Sequence, residues 1–219
     1  MRTLYRELLR GKGIWRSSLY DALVPYAAVI REPILDIASG KDPGYWRILG
    51  INGNKGIRVS TVDADQGACP SILHDMDTGP LPCADGSFAT VFMINCIYSF
   101  SDYRAALREI HRILSVDGVA FISFPFIFPH TPEPRDFFRF SDEGVRMACA
   151  DAELSVVSCR PLGGRWSSAA YLISPFLRPY FIFALPVCII ALFFDRLSQL
   201  VFPALPRAPM GYLAVVKRI

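Results

Sequence analysis

The stretch Pro33–Gly44, PILDIASGKDPG, carries an apolar run into Asp36, passes through small residues and reaches a proline suited to a helix start. A loop built this way lets a ligand approach the backbone closely at the carboxyl edge of a sheet. It does not spell G-x-G-x-x-G, because Ala38 stands where the first glycine would be. Asp42 is placed to cap the next helix, with Pro43 at its first position. A carboxylate there competes with a pyrophosphate for the same N–H groups. With Asp36 close by, the loop suits a cofactor bearing positive charge, such as an amino group or a sulfonium, and argues against dinucleotide and ATP chemistry. Other acids end similar runs: Asp63 closes IRVSTVD, with Asp65 beside it, and Asp75 follows SILH.

A second group lies in PFIFPHTPEPRDFFRFSDEGV, a Pro- and aromatic-rich stretch without periodicity. Long irregular loops in compact domains tend to be lids. His130 has the intrinsic pKa of a base near neutral pH, and Asp136 is second to it. The alternative is that Asp136 and Arg139 form an ion pair pinning the loop while His130 is a turn residue. Tyr98 is a further pocket residue without an assigned role.

The elements that must hold these groups alternate between strand-like and helix-like segments, which predicts an α/β domain with a mainly parallel sheet. PILDIA, IRVSTVD, SILHDM, SFATVFMIN, VAFISFPF, LSVVSCRPL and GYLAVVKRI are the seven expected strands. Tyr103, Ala106, Leu107, Ile110, Ile113 and Leu114 form one apolar helical stripe, with Ser101 as the expected cap, Asp102 in the first turn and Gly118 at the exit. A further helix, SDEGVRMACADA, is expected to be capped by Ser141. From Ala169 to Leu205 the chain is rich in Pro, Phe, Leu and Ile. Its longest uncharged run, Pro179–Phe194, contains Pro186 and is shorter than the ~20 residues a crossing helix needs. An interfacial hairpin is expected, with a buried cap or an oligomer interface as the alternative.

Composition bounds the rest. The 219 residues are 52% hydrophobic, enough for one well-buried domain with an appendage, and the net charge of +3 gives no sign of nucleic acid. Arg2, Arg6, Arg10, Lys12 and Arg16 face only Glu7 at the N-terminus, a pattern that suits anionic lipid, a phosphorylated substrate or a solvated amphipathic helix. No secretory h-region is visible. The six cysteines form no C-x-x-C pair and read as reduced thiols, and three histidines without ligand spacing predict no metal.

ILDIASG resembles the first motif of class I S-adenosylmethionine-dependent methyltransferases, and VSTVD the second. LHDMDTGPLPCADGSFATVFMINCI resembles the third and fourth, and LREIHRILSVDGVAFISFPF the family's helix and fifth strand. The resemblance runs collinearly from about Pro33 to Asp151. It implies a Rossmann-like doubly wound seven-stranded sheet, the last strand antiparallel, with an apolar helical insertion before that strand. Together with the charge and apolar composition read above, the expected organisation is a basic helical segment at 1–30, a methyltransferase core at 31–162, a hydrophobic, membrane-associated insertion at 163–208 and a final strand at 209–219. The resemblance also implies S-adenosylmethionine as cofactor. Asp36, Ala38 and Gly40 would lie under its methionine part and Asp63 would accept from the ribose hydroxyls. Asp75 would take the adenine amino group beside Met76, and Asn95 and Ile97 would line the other side. The lid stretch, with His130, Asp136, Phe137, Arg139 and Ser141, is similar to that of methyltransferases of polysaccharide and envelope biosynthesis. The expected function is methyl transfer to a hydrophobic or lipid-linked acceptor (a glycan intermediate, a quinone-like ring or a lipid) at the cytoplasmic face of the cell membrane, the expected partner being that small-molecule or lipid-linked acceptor. The protein is expected to be cytoplasmic and peripheral to that membrane, with self-association through the insertion as a further partner expectation. A non-catalytic binding or scaffold module with this fold is the alternative.

Overall fold

The computed structural model describes residues 2–41, 43–51, 57–132, 134–177 and 181–219. Asp42 and the loop Asn52–Gly56 lie outside them, so the expected Asp42 cap is not described. Two helices open the chain, α1 (Arg2–Leu9) and α2 (Ile14–Leu23). Then follow β1 (Ile34–Ile37), α3 (Gly44–Leu49), β2 (Val59–Asp63), β3 (Ile72–Leu73), β4 (Phe88–Met93), α4 (Tyr103–Ile113) and β5 (Leu114–Pro125). The chain ends with α5 (Asp142–Ala150), β6 (Leu154–Leu162), α6 (Arg165–Leu177), α7 (Phe181–Val201) and β7 (Gly211–Arg218).

The strands form one sheet in the order β3-β2-β1-β4-β5-β7-β6. The first five are parallel, and β7 is antiparallel to both β5 and β6, as expected. Alternation along the central strands feeds two cores. Leu35, Ile37, Val91, Met93, Ala120 and Ile122 face α4 and α5. Ile34, Phe92, Phe121, Leu213 and Val215 face α1, α2, α3 and α7. Phe92 and Phe121 stack on that second side with ring centroids 5.1 Å apart.

Three helix boundaries differ from the sequence expectation. Pro43 is the N-cap of α3, with extended backbone, so the helix begins at Gly44 rather than at the proline. Asp102, not Ser101, caps α4, its side chain accepting from the backbone N–H of Ala105. That helix ends at Ile113, and Gly118 lies within β5, because Leu114 already turns extended to pair with Phe88. Ser141 caps α5 as expected, accepting from Gly144 N.

The apolar segment forms two successive helices, α6 and α7, packed on each other. α7 continues through Pro186 and past Asp195. By length and composition alone, Ala184–Val201 could cross a membrane. Cys188, Ala191, Leu192 and Asp195 are nevertheless buried on one side of α7, whereas Ile190, Phe193, Leu197, Leu200 and Val201 are exposed on the other. Asp195 accepts from the backbone N–H groups of Gly164, Trp166 and Ser167 at 2.8–3.1 Å, satisfying the free amides at the start of α6.

Candidate functional site

The β1 loop turns at Ala38, which takes a left-handed backbone (φ +52°) and donates its N–H to Val62 O at 2.7 Å. A residue with a Cβ is disfavoured in that region, which accounts for glycine in the motif that Ala38 departs from. Gly40, also left-handed, donates to Asp63 Oδ2 at 3.3 Å, and Asp65 N–H donates to Asp63 Oδ1 at 3.0 Å. The loop is thereby tied to the acid that ends β2. Asp65 is turned away, capping the next turn by accepting from Gly67 N at 2.8 Å. Of the two rivals, Asp63 faces the cleft.

A cavity of about 140 Å³ opens there, lined by Ala38, Asp63, His74, Asp75, Met76 and Phe100, with Pro134 and Arg135 of the lid across it. Arg135 reaches Asp77 at 3.0 Å, an ion pair that ties the lid to the β3 side. Past Ala38 a second cavity of about 280 Å³ lies between the β1 loop, Asn95 and the side chains Lys12, Trp15 and Arg16 of the N-terminal segment. Lys12, Trp15, Arg16 and Asn95 also line a third and larger cavity, of about 720 Å³. Its far wall is Phe128 from the lid, Tyr171 and Ser174 from α6, and Leu185 and Cys188 from α7. The first two cavities share Ala38, and the second and third share Lys12, Trp15, Arg16 and Asn95, so the three lie side by side from Asp63 to the inner side of the apolar helix pair.

Other expected site residues sit elsewhere. Asp36 lies behind the loop, fully buried, accepting from Tyr45 Oη and Trp46 Nε1 at 2.6 Å each. Burial pushes its carboxyl up to about 7, against the pull of those two hydrogen bonds. It lines none of the three cavities, so it backs the floor rather than forming it. Ile97 is also fully buried, because the short 3-10 turn Ile97–Ser99 folds it into the core under α4. Asn95 adopts φ +58°, and its Oδ1 is buried without a hydrogen-bond partner. Asn95 itself lines both the second and the third cavity.

The lid acids and bases are organised structurally. The carboxylate of Asp136 accepts from both terminal nitrogens of Arg139 and from Thr131 N, and Arg139 alongside holds it down at about 2. Arg139 also donates to Pro129 O at 3.1 Å and lies over the rings of Tyr98 and Phe128. A carboxylate so paired is a poor proton acceptor, and His130 is exposed and outside all three cavities. This geometry fits the pinning reading of the loop rather than a base at His130 or Asp136. Among the described residues no cluster has the makeup of a metal site.

The profile of the methyltransferase domain family matches residues 37–122, the span that contains the β1 loop, Asp63, Asp75 and Asn95. Those residues thus match a methyltransferase domain, and the fold is that of solved S-adenosylmethionine-dependent methyltransferases. Solved structures share this fold. A SAM-dependent methyltransferase from Aquifex aeolicus has 14% identity and a TM-score of 0.53, over 72% of this chain and 92% of that one. Haemonchus contortus phosphoethanolamine N-methyltransferase 2, in complex with S-adenosyl-L-methionine, has 16% identity and a TM-score of 0.60, over 92% of this chain and 52% of that one. The cyclase SpnF has 14% identity and a TM-score of 0.57, over 92% of this chain and 81% of that one. No curated protein matches the chain by sequence. The cofactor fits the residues present: Asp63 offers carboxylate oxygens at the end of β2, Asp75 and Met76 flank an apolar slot, and the unpartnered Asn95 Oδ1 can accept from an ammonium. What sequence reading missed is the part played by Lys12, Trp15 and Arg16, visible beforehand only as a basic segment.

Proposed function

We propose that this methyltransferase methylates a hydrophobic or lipid-linked acceptor at the cytoplasmic face of a membrane. One observation carries the reading: the helices that wall the largest cavity with Tyr171, Leu185 and Cys188 carry exposed Phe176, Ile190, Phe193 and Leu200 on their other sides. An apolar molecule leaving a bilayer beside such a hairpin has a short route to the cleft. Anionic lipid suits the adjoining basic helix, since α1 abuts α7 and the Arg196 guanidinium lies 5.7 Å from the Tyr5 ring.

The cofactor supplies an electrophilic methyl on a sulfonium. Asp63 and Asp75 would orient its nucleoside end, and Ala38 with Asn95 would bound the methionine end. Trp15 and Phe128 would hold the acceptor in line and exclude water, so that proximity and orientation carry most of the acceleration. The described lining of the largest cavity contains no Asp, Glu or His. Methyl transfer here therefore suits an acceptor atom that attacks without a side-chain base.

Calorimetry with S-adenosylmethionine and radiolabelled transfer into membrane extracts test the reading together. Wild type should bind, Asp63→Ala should bind on the order of 10- to 100-fold more weakly from the loss of charge-assisted hydrogen bonds, and label should enter the organic phase. Absence of binding to wild type sinks the methyltransferase reading. Binding without label transfer favours the non-catalytic module, and label confined to water-soluble products removes the lipid acceptor.

A further inference from the structure

The cavity of about 720 Å³ is unevenly charged along its described lining. Among its described lining residues only Lys12 and Arg16 are ionised, and both are positive. The basic residues of α1 behave differently, since Arg6 and Arg10, with Arg47 from α3, converge on the buried Glu7 at 2.8–3.5 Å. No ion pair holds Lys12 or Arg16 among the described residues. Both line the second cavity as well, next to Asn95. Beyond them the wall becomes apolar, through Trp15, Phe128, Leu185 and Cys188. Two cations at one end of an apolar chamber are suited to a bound anion, and a guanidinium can grip a phosphate or carboxylate through two parallel N–H bonds.

We propose that the acceptor is an amphiphile with an anionic head group, seated on Lys12 and Arg16 at the junction of the two cavities, its apolar body laid along Trp15, Phe128, Leu185 and Cys188. This rests on the methyltransferase reading above and names the acceptor class for that site. The carboxylate of a bound methionine moiety carries one negative charge and so cannot neutralise both cations. The surplus positive charge, and the whole apolar wall, are left to the acceptor.

The test uses the full chain saturated with S-adenosylhomocysteine, titrated calorimetrically with dodecyl phosphate, dodecanoate and dodecanol, each kept as monomer. At least one anionic probe should bind tenfold or more tighter than dodecanol, and which one does so separates phosphate from carboxylate. A Lys12→Gln/Arg16→Gln variant should lose that preference at saturating S-adenosylhomocysteine. Gly13→Leu provides a second readout, since an added Cβ at Gly13 meets no atom within 4 Å while the residue lines the cavity. It should weaken all three probes at least tenfold and leave S-adenosylhomocysteine binding intact. Equal affinity for dodecanol and the anions, or anion binding untouched by both variants, overturns the proposal. Failure of S-adenosylhomocysteine to bind wild type strikes the methyltransferase reading instead.

Discussion

Asp36 shows how one residue can serve a site it does not touch. Its carboxyl is raised from 3.8 to about 7 by burial, with Tyr45 and Trp46 donating to one oxygen and the other left unpartnered. A group whose pKa is higher in the folded than in the unfolded state contributes stability that is full below about 4 and is lost as pH rises through about 7. Asp36→Asn keeps an acceptor for both donors and removes the charge. Urea denaturation should show the variant gaining on wild type as pH goes from 5 to 8, by on the order of a few kcal/mol at the upper end. Its affinity for S-adenosylmethionine at pH 8 should fall severalfold, since a cationic ligand loses a nearby negative charge. A stability difference that does not change with pH would refute the assignment. The acid was legible in ILDIASG, as were Asp63 and Asp75, because each lies in or just past an apolar, strand-like run. Its withdrawal behind the loop was not, because that depends on Tyr45 and Trp46 folding back from α3.

Elements explain why the apolar segment reads ambiguously. Hydropathy counts Asp195 as an interruption and Pro186 as a break, whereas α7 continues through both. Charge is registered by a sequence scan, but its partners are not: the carboxylate turns inward and accepts three backbone N–H groups at the start of α6. Asp195→Leu should therefore unlatch α6 from α7 and cost about 2–3 kcal/mol, a sum of the lost cap and newly orphaned donors. Thermal denaturation should show Tm lowered by several degrees, with Asp195→Asn intermediate because it keeps one acceptor oxygen. An unchanged Tm in Asp195→Leu would contradict the cap. Helix positions elsewhere were legible because caps and apolar stripes are local. The convergence of Lys12 and Arg16 on Asn95 was not, since it joins residues some eighty positions apart.

At the scale of the whole molecule, the sheet edge proposed to bind the cofactor and the helices α6 and α7 flank the same row of cavities, and the outer side of those helices faces away from it. The outer side exposes Phe176 and Leu200 at 82% and 81% and Phe202 at 58%, with exposed Arg165 and Arg207 nearby in the chain. Burial in a bilayer interface is worth about 1–2 kcal/mol for each such side chain at this degree of exposure, and each basic residue near an anionic surface adds about 1 kcal/mol. Wild-type protein should then float with vesicles containing anionic lipid, bind neutral vesicles more weakly, and be only partly released by salt, because the apolar contribution is not screened. Phe176→Ser/Leu200→Ser/Phe202→Ser should lower vesicle partitioning by about 100-fold or more. Binding of S-adenosylmethionine should be unaffected, since none of the three lines the cleft. If the apolar side instead buries itself against a second copy, wild type will sediment as a dimer that the triple variant dissociates and neither will float. That outcome would remove the membrane from the function and leave the cofactor site standing.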